Sequence, residues 1–98
     1  MKLPTIKEVS ALIKSLKKDI DDDYRAYDDD DDSNVPSMLV TIGIDPDTGA
    51  WSYQTGDNSY TGGAYGYHYW GVTAITRRSN SREVARYLIN DAAEQVCE

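Results

Sequence analysis

The sequence predicts an α+β fold: a single domain of order α-β-β-β-α, with a three-stranded antiparallel sheet and two helices packed on one of its faces. Three patterns support this prediction. A helical apolar stripe covers the first quarter of the chain, β-branched and alternating segments fill the middle, and a second helical stripe follows near the end. The 98 residues leave room for one core, so we expect one domain over 1–98.

The first helix is predicted over about residues 5–27. Thr5 and Glu8 have the spacing of a capping box, which satisfies free backbone groups at a helix start. Lysines come early in this helix and aspartates late, which is the reverse of what the helix dipole favours. The aspartates therefore do not stabilise the helix. The apolar stripe consists of Ile6, Val9, Ile13, Leu16, Ile20, Tyr24 and Tyr27.

After the first helix we expect an acidic linker over 28–36 and then three strands. The sequence DPDTG (45–49) is a tight turn between the first two strands. The short connections predict an antiparallel meander. A last helix is predicted over about 80–96, where Asn80 and Glu83 again have capping-box spacing. The strand segments are 37–44, 50–55 and 67–76, within a meander of about 37–76.

The overall charge limits the possible partners. A net charge of −7 and a pI near 4.5 argue against direct binding to nucleic acid or to an anionic membrane. The sequence has no apolar run long enough to span a membrane, and its first residues lack the apolar core of a signal peptide. Cys97 is the single cysteine, so no internal disulfide can form. We therefore expect a cytoplasmic protein.

Residues for catalysis or metal binding are sparse. His68 is the sole histidine and Cys97 lies next to the last residue. No cysteine and histidine cluster has zinc-binding spacing. An EF-hand loop that started at Asp28 would need glycine and glutamate where the sequence has Ser33 and Leu39. We expect no catalytic residue, no metal site and no cofactor, and a small regulatory enzyme is a distant alternative.

Nine aspartates and Arg25 lie between positions 19 and 32, which gives this block a charge of −8. One interpretation is a solvated linker that aids solubility. The other is a contact surface, because fourteen helical residues span about 21 Å, and duplex DNA carries about twelve phosphates over that length. On this hypothesis the block imitates a nucleic-acid backbone inside a partner's basic channel. Its members are Asp19, Asp21, Asp22, Asp23, Asp28, Asp29, Asp30, Asp31 and Asp32.

The aromatic residues are the second candidate contact surface. The chain has eight Tyr, two Trp and no Phe, and seven of these rings lie within 51–70. Tyr and Trp are favoured at protein interfaces, but a sheet core closed by a tyrosine-rich loop would use the same residues. We expect the four C-terminal arginines either to offset the aspartates within the fold or to be solvated. The tyrosines predicted to contact a partner are Tyr24, Tyr27, Tyr60, Tyr65, Tyr67 and Tyr69.

In size and composition the chain resembles small acidic proteins that phages and plasmids encode against host defence, such as anti-CRISPR and DNA-mimic antirestriction proteins. The resemblance rests on the net charge, the DIDDDYRAYDDDDD block, the single domain and the missing catalytic set. It implies a stoichiometric inhibitor of a basic nucleic-acid-binding protein or a CRISPR effector complex. The alternative is a structural or accessory phage or bacterial module that forms a homodimer, or binds a partner, through a tyrosine-rich sheet face.

Overall fold

The computed structural model describes residues 2–26, 37–56 and 67–96. The predicted acidic linker over 28–36 lies outside these described residues. The element order is α-β-β-β-α, which confirms the predicted fold class. The elements are α1 (Ile6–Ala26), β1 (Ser37–Ile44), β2 (Trp51–Gly56), β3 (Tyr69–Thr76) and α2 (Ser81–Val96).

Both helices begin at the caps that the sequence predicts. The Thr5 N–H donates to Glu8 Oε2 at 3.3 Å, and the Glu8 N–H donates to Thr5 Oγ1 at 3.1 Å, which completes a capping box. At the start of α2, Asn80 Oδ1 accepts hydrogen bonds from the N–H groups of Arg82 and Glu83, each at 3.1 Å. A polar N-cap stabilises a helix by about 1 kcal/mol, so these side chains fix where each helix starts.

The strand order is β2-β1-β3, and β1 is antiparallel to both of its neighbours. The predicted meander, which would place β2 in the centre, is therefore wrong. The tight turn at 45–49 fixes only the pairing of β1 with β2. β2 ends at Gly56 beside Leu39, and β3 starts at Tyr69 beside Ile44, so the connection over residues 57–68 joins opposite ends of the sheet.

One face of the sheet and one stripe of each helix form a single hydrophobic core. Val40, Ile42 and Ile44 alternate along the central strand and are at most 1% exposed. Side chains from both helices pack on this face, as the period of each apolar stripe predicts. The helix residues in the core are Val9, Ile13, Leu16, Ile20, Ala85, Leu88, Ile89 and Ala92.

The second helix also covers the outer edge of β3. The Val72 N–H donates to Asp91 Oδ2 at 3.2 Å. The Trp70 N–H donates to Gln95 Oε1 at 3.3 Å, and Gln95 Nε2 donates back to the Trp70 carbonyl oxygen. An uncovered strand edge is open to pairing with another chain. Here α2 side chains occupy that edge and fix the position at which β3 begins.

Candidate functional site

Of the predicted acidic surface, the structure describes the side chains of Asp19, Asp21 and Asp22. Asp19 and Asp22 are exposed on α1. Asp21 is half-buried, and its Oδ1 lies 3.5 Å from Arg77 Nη1. This ion pair agrees with the expectation that arginines offset aspartates within the fold. The side chains of Asp23 and Tyr24 on α1 lie outside the description, as do all of Tyr27, Asp28, Asp29, Asp30, Asp31, Asp32, Tyr60 and Tyr65.

Within the described strands, the sheet face that points away from the helices carries no tyrosine. The strand register places Tyr53 opposite Ile42 and Tyr69 opposite Ile44, so both tyrosines share the helix-facing side. Tyr69 packs against the core there. The predicted tyrosine-rich contact face is therefore not formed by these strands.

Two of the predicted residues, Tyr67 and Tyr69, meet at a cleft of about 530 Å³ at one end of the sheet. We call this the sheet-end cleft. Its walls are residues 44–47 at the end of β1, residues 67–69 at the start of β3, and Val96 in the last turn of α2. The two strand ends meet because β3 runs antiparallel to β1, which sets Tyr69 opposite Ile44.

The turn that forms one wall of the cleft is held by several hydrogen bonds. The Asp45 N–H donates to the Ala50 carbonyl at 2.9 Å, and the Gly49 N–H donates to the Asp45 carbonyl at 2.8 Å. Gly49 has a φ of 80°, a conformation in which glycine is strongly favoured. The Asp47 N–H donates to Asp45 Oδ1 at 3.0 Å, which closes an Asx turn. The two carboxylates are thus presented from a fixed backbone.

The opposite wall is anchored by the second helix. The Gln95 side chain forms hydrogen bonds with the backbone of Trp70, the residue that follows the cleft-lining residues 67–69. Tyr67 and Tyr69 are half-buried, and His68 is exposed. The cleft consequently has aromatic rings along one wall and two carboxylates along the other.

Three apolar residues, Ile44, Pro46 and Val96, complete the lining of the cleft. Ile44 is 1% exposed, and Pro46 and Val96 are half-buried. A concave, partly apolar site with a few placed polar groups is typical of small-molecule recognition, and its volume lies within the usual range of roughly 300–1,000 Å³. Aromatic faces contact the C–H face of a ligand ring, while carboxylate oxygens and the imidazole bind hydroxyl groups.

Sequence reasoning missed the carboxylates of this cleft. The sequence predicts a tight turn at Asp45 and Asp47, which is correct, but no local pattern connects that turn with Tyr67. The signal that could have found them is the strand order, because only an antiparallel pairing of β1 with β3 brings the two segments together. Across the described ranges, no group of three or more His, Cys, Asp or Glu side chains is arranged to hold a metal ion.

Part of the chain is similar to a known protein. The chain is 37% identical over 51 residues to the secreted LysM effector Blys4 of Beauveria bassiana (strain ARSEF 2860). The match covers 52% of this chain and 30% of that protein, so the chain spans less than a third of the relative's length. No family model and no solved structure match the chain.

This similarity contradicts the predicted function. The prediction of an anti-CRISPR-like, phage-encoded inhibitor was wrong, since the matched protein is a secreted effector. The predicted partners, a basic nucleic-acid-binding protein or a CRISPR effector complex, are wrong for the same reason, and so is the cytoplasmic location. The relative is named as an effector and not as an enzyme, in keeping with the prediction of a binding protein. Among the described helices, none is long and apolar enough to cross a membrane.

Proposed function

We propose that this chain is a secreted, non-enzymatic carbohydrate-binding module that holds a chain of N-acetylglucosamine units, such as chitin, in the sheet-end cleft. The observation that carries the proposal is the meeting of Tyr67 and Tyr69 with the carboxylates of Asp45 and Asp47 in one cavity. The likeness to a secreted LysM effector supports both the extracellular location and the carbohydrate ligand.

The chemistry of the cleft matches that of an amino sugar. A pyranose ring has an apolar C–H face that packs against an aromatic ring, and a rim of hydroxyl groups that donate to carboxylates. The apolar surface of Ile44, Pro46 and Val96 offers a place for the methyl group of an acetamido substituent. We therefore expect the acetamido group to raise affinity, which distinguishes chitin oligomers from glucose oligomers of the same linkage.

The roles of the two carboxylates differ. Asp45 Oδ1 already accepts the Asp47 N–H, so that side chain both shapes the turn and lines the cleft. Asp47 is exposed, and its carboxylate is the one whose replacement leaves that hydrogen bond in place. A hydrogen bond to a charged acceptor is worth about 1.5–3 kcal/mol. Asp47 is therefore the carboxylate whose contribution to binding can be measured by replacement without altering the turn.

The test is a calorimetric titration with N-acetylglucosamine oligomers of one to four units and with glucose oligomers of equal length. We expect affinity to rise with the number of N-acetylglucosamine units, to a dissociation constant on the order of 100 μM, or about −5.5 kcal/mol. The glucose oligomers are expected to bind at least about tenfold more weakly. Equal binding of both series, or no heat at millimolar ligand, would contradict the proposal.

A further inference from the structure

A groove rich in lysine and arginine lies where α1 passes the turn between β3 and α2. It is a shallow, open depression of about 470 Å³, and we call it the basic groove. Five of its side chains are cationic and one is a carboxylate, which leaves an excess of four positive charges in a chain of net charge −7. The residues that line it are Lys14, Lys17, Lys18, Asp21, Arg77 and Arg78.

The basic groove continues along the first helix. A second cavity of about 420 Å³ shares Lys14 with it and adds Lys7 and Arg82. Lys7 and Lys18 are separated by about 16 Å along the helix axis. Positive charge over this length suits a linear ligand with repeated anionic groups better than a single small ion.

The arginine side of the basic groove is held by local hydrogen bonds. The Thr76 N–H donates to Ser79 Oγ at 2.9 Å, and the Ser79 N–H donates to the Thr76 carbonyl at 3.1 Å. The Arg78 N–H donates to Thr76 Oγ1 at 3.2 Å. Arg77 pairs with Asp21, and these two residues and Arg78 make further interactions within the chain. A ligand that bound these arginines would have to replace their existing contacts within the chain. The lysines of α1 therefore supply most of the attraction for an anionic ligand.

We propose that the basic groove binds a linear sulfated polysaccharide. Lysine ammonium and arginine guanidinium groups form charge-assisted hydrogen bonds with sulfate oxygens. No aromatic ring lines the described walls of the groove, so the bases of a single-stranded nucleic acid have no stacking surface. The site shares no residue with the sheet-end cleft, and the proposal goes beyond the proposed function without depending on it.

The test uses a heparin-derived hexasaccharide as the probe and calorimetry at two salt concentrations. We expect affinity to fall as NaCl rises from about 50 to about 200 mM, because binding releases counterions from the polyanion. The double variant Lys14→Gln/Lys18→Gln is expected to lose about tenfold in affinity. The matched control is Lys2→Gln/Arg86→Gln, which removes two exposed cations that line neither cavity. Its expected loss is at most about twofold.

Three results would overturn the proposal. Equal losses in the two double variants would mean that only net charge matters. A single-stranded oligonucleotide of equal charge that binds as tightly would assign the groove to nucleic acid. Full competition by inorganic sulfate at the same concentration of sulfate groups would reduce the groove to a single-ion site. Circular dichroism of both variants confirms that a lost affinity is not a lost fold.

Discussion

Replacing Gly71 with alanine is expected to destabilise the fold by about 3 kcal/mol, at the upper end of the range for overpacked sites. A Cβ on Gly71 would lie 2.2 Å from the Leu88 carbonyl oxygen, which belongs to the backbone of α2 and cannot rotate away. The helix would have to move off β3, and the hydrogen bonds that Asp91 and Gln95 make to the strand edge would lengthen. A domain of this size has only about 5–15 kcal/mol of stability to lose.

Urea denaturation measures this effect, with Gly56→Ala as the matched control. Gly56 is exposed at the end of β2 and does not have a positive φ, so the same chemical change should cost less than about 0.5 kcal/mol there. Hydrogen exchange gives a second readout, since the amides of Trp70 and Val72 should exchange faster in Gly71→Ala. Equal stability of the two variants would show that α2 does not need the close approach to β3.

Replacing Tyr67 with alanine is expected to lower the affinity for N-acetylglucosamine oligomers by about tenfold, or 1.4 kcal/mol. The ring lines the sheet-end cleft directly before β3, and its loss removes a flat surface for the sugar. Tyr67→Phe keeps this surface and loses only a hydroxyl group, so its affinity should fall by no more than about threefold, the value of a modest hydrogen bond.

Tyr87→Ala is the matched control for this substitution. Tyr87 is 55% exposed on α2 and does not line the cleft. Its variant should bind as the unaltered protein does. If Tyr67→Ala binds the oligomers as tightly as the unaltered protein, or if Tyr87→Ala loses as much affinity, the sheet-end cleft is not the binding site. Thermal unfolding of all three tyrosine variants separates a loss of binding from a loss of structure.

The elements of this fold could be predicted from local sequence because local groups decide them. Thr5 and Glu8 satisfy each other's backbone, Asn80 caps α2, and the β-branched run at 37–44 has no competing helical period. The need for glycine at position 71 could not be predicted in this way. It depends on the backbone of Leu88, which belongs to a different element and approaches only when the sheet and helix have packed.

The candidate site was missed because it depends on strand order. In a meander, β3 would run parallel to β1, and Tyr67 would lie at the far end of the sheet from Asp47. The observed order reverses β3 relative to that arrangement and brings the two residues to one cleft. Composition favours a different site, because the aspartate block dominates the charge of the sequence. A run of like charge is conspicuous in a sequence, whereas a binding site is assembled from residues far apart along it.

Binding of N-acetylglucosamine units in the sheet-end cleft can be located residue by residue in solution. The most direct measurement is a ¹H–¹⁵N NMR titration with the N-acetylglucosamine trimer, which reports on every backbone amide at once. We expect ligand-dependent shifts at residues 44–49, 67–70 and 94–96, and little change along α1. Shifts centred on Lys14 and Lys18, or none at millimolar trimer, would contradict binding in the sheet-end cleft.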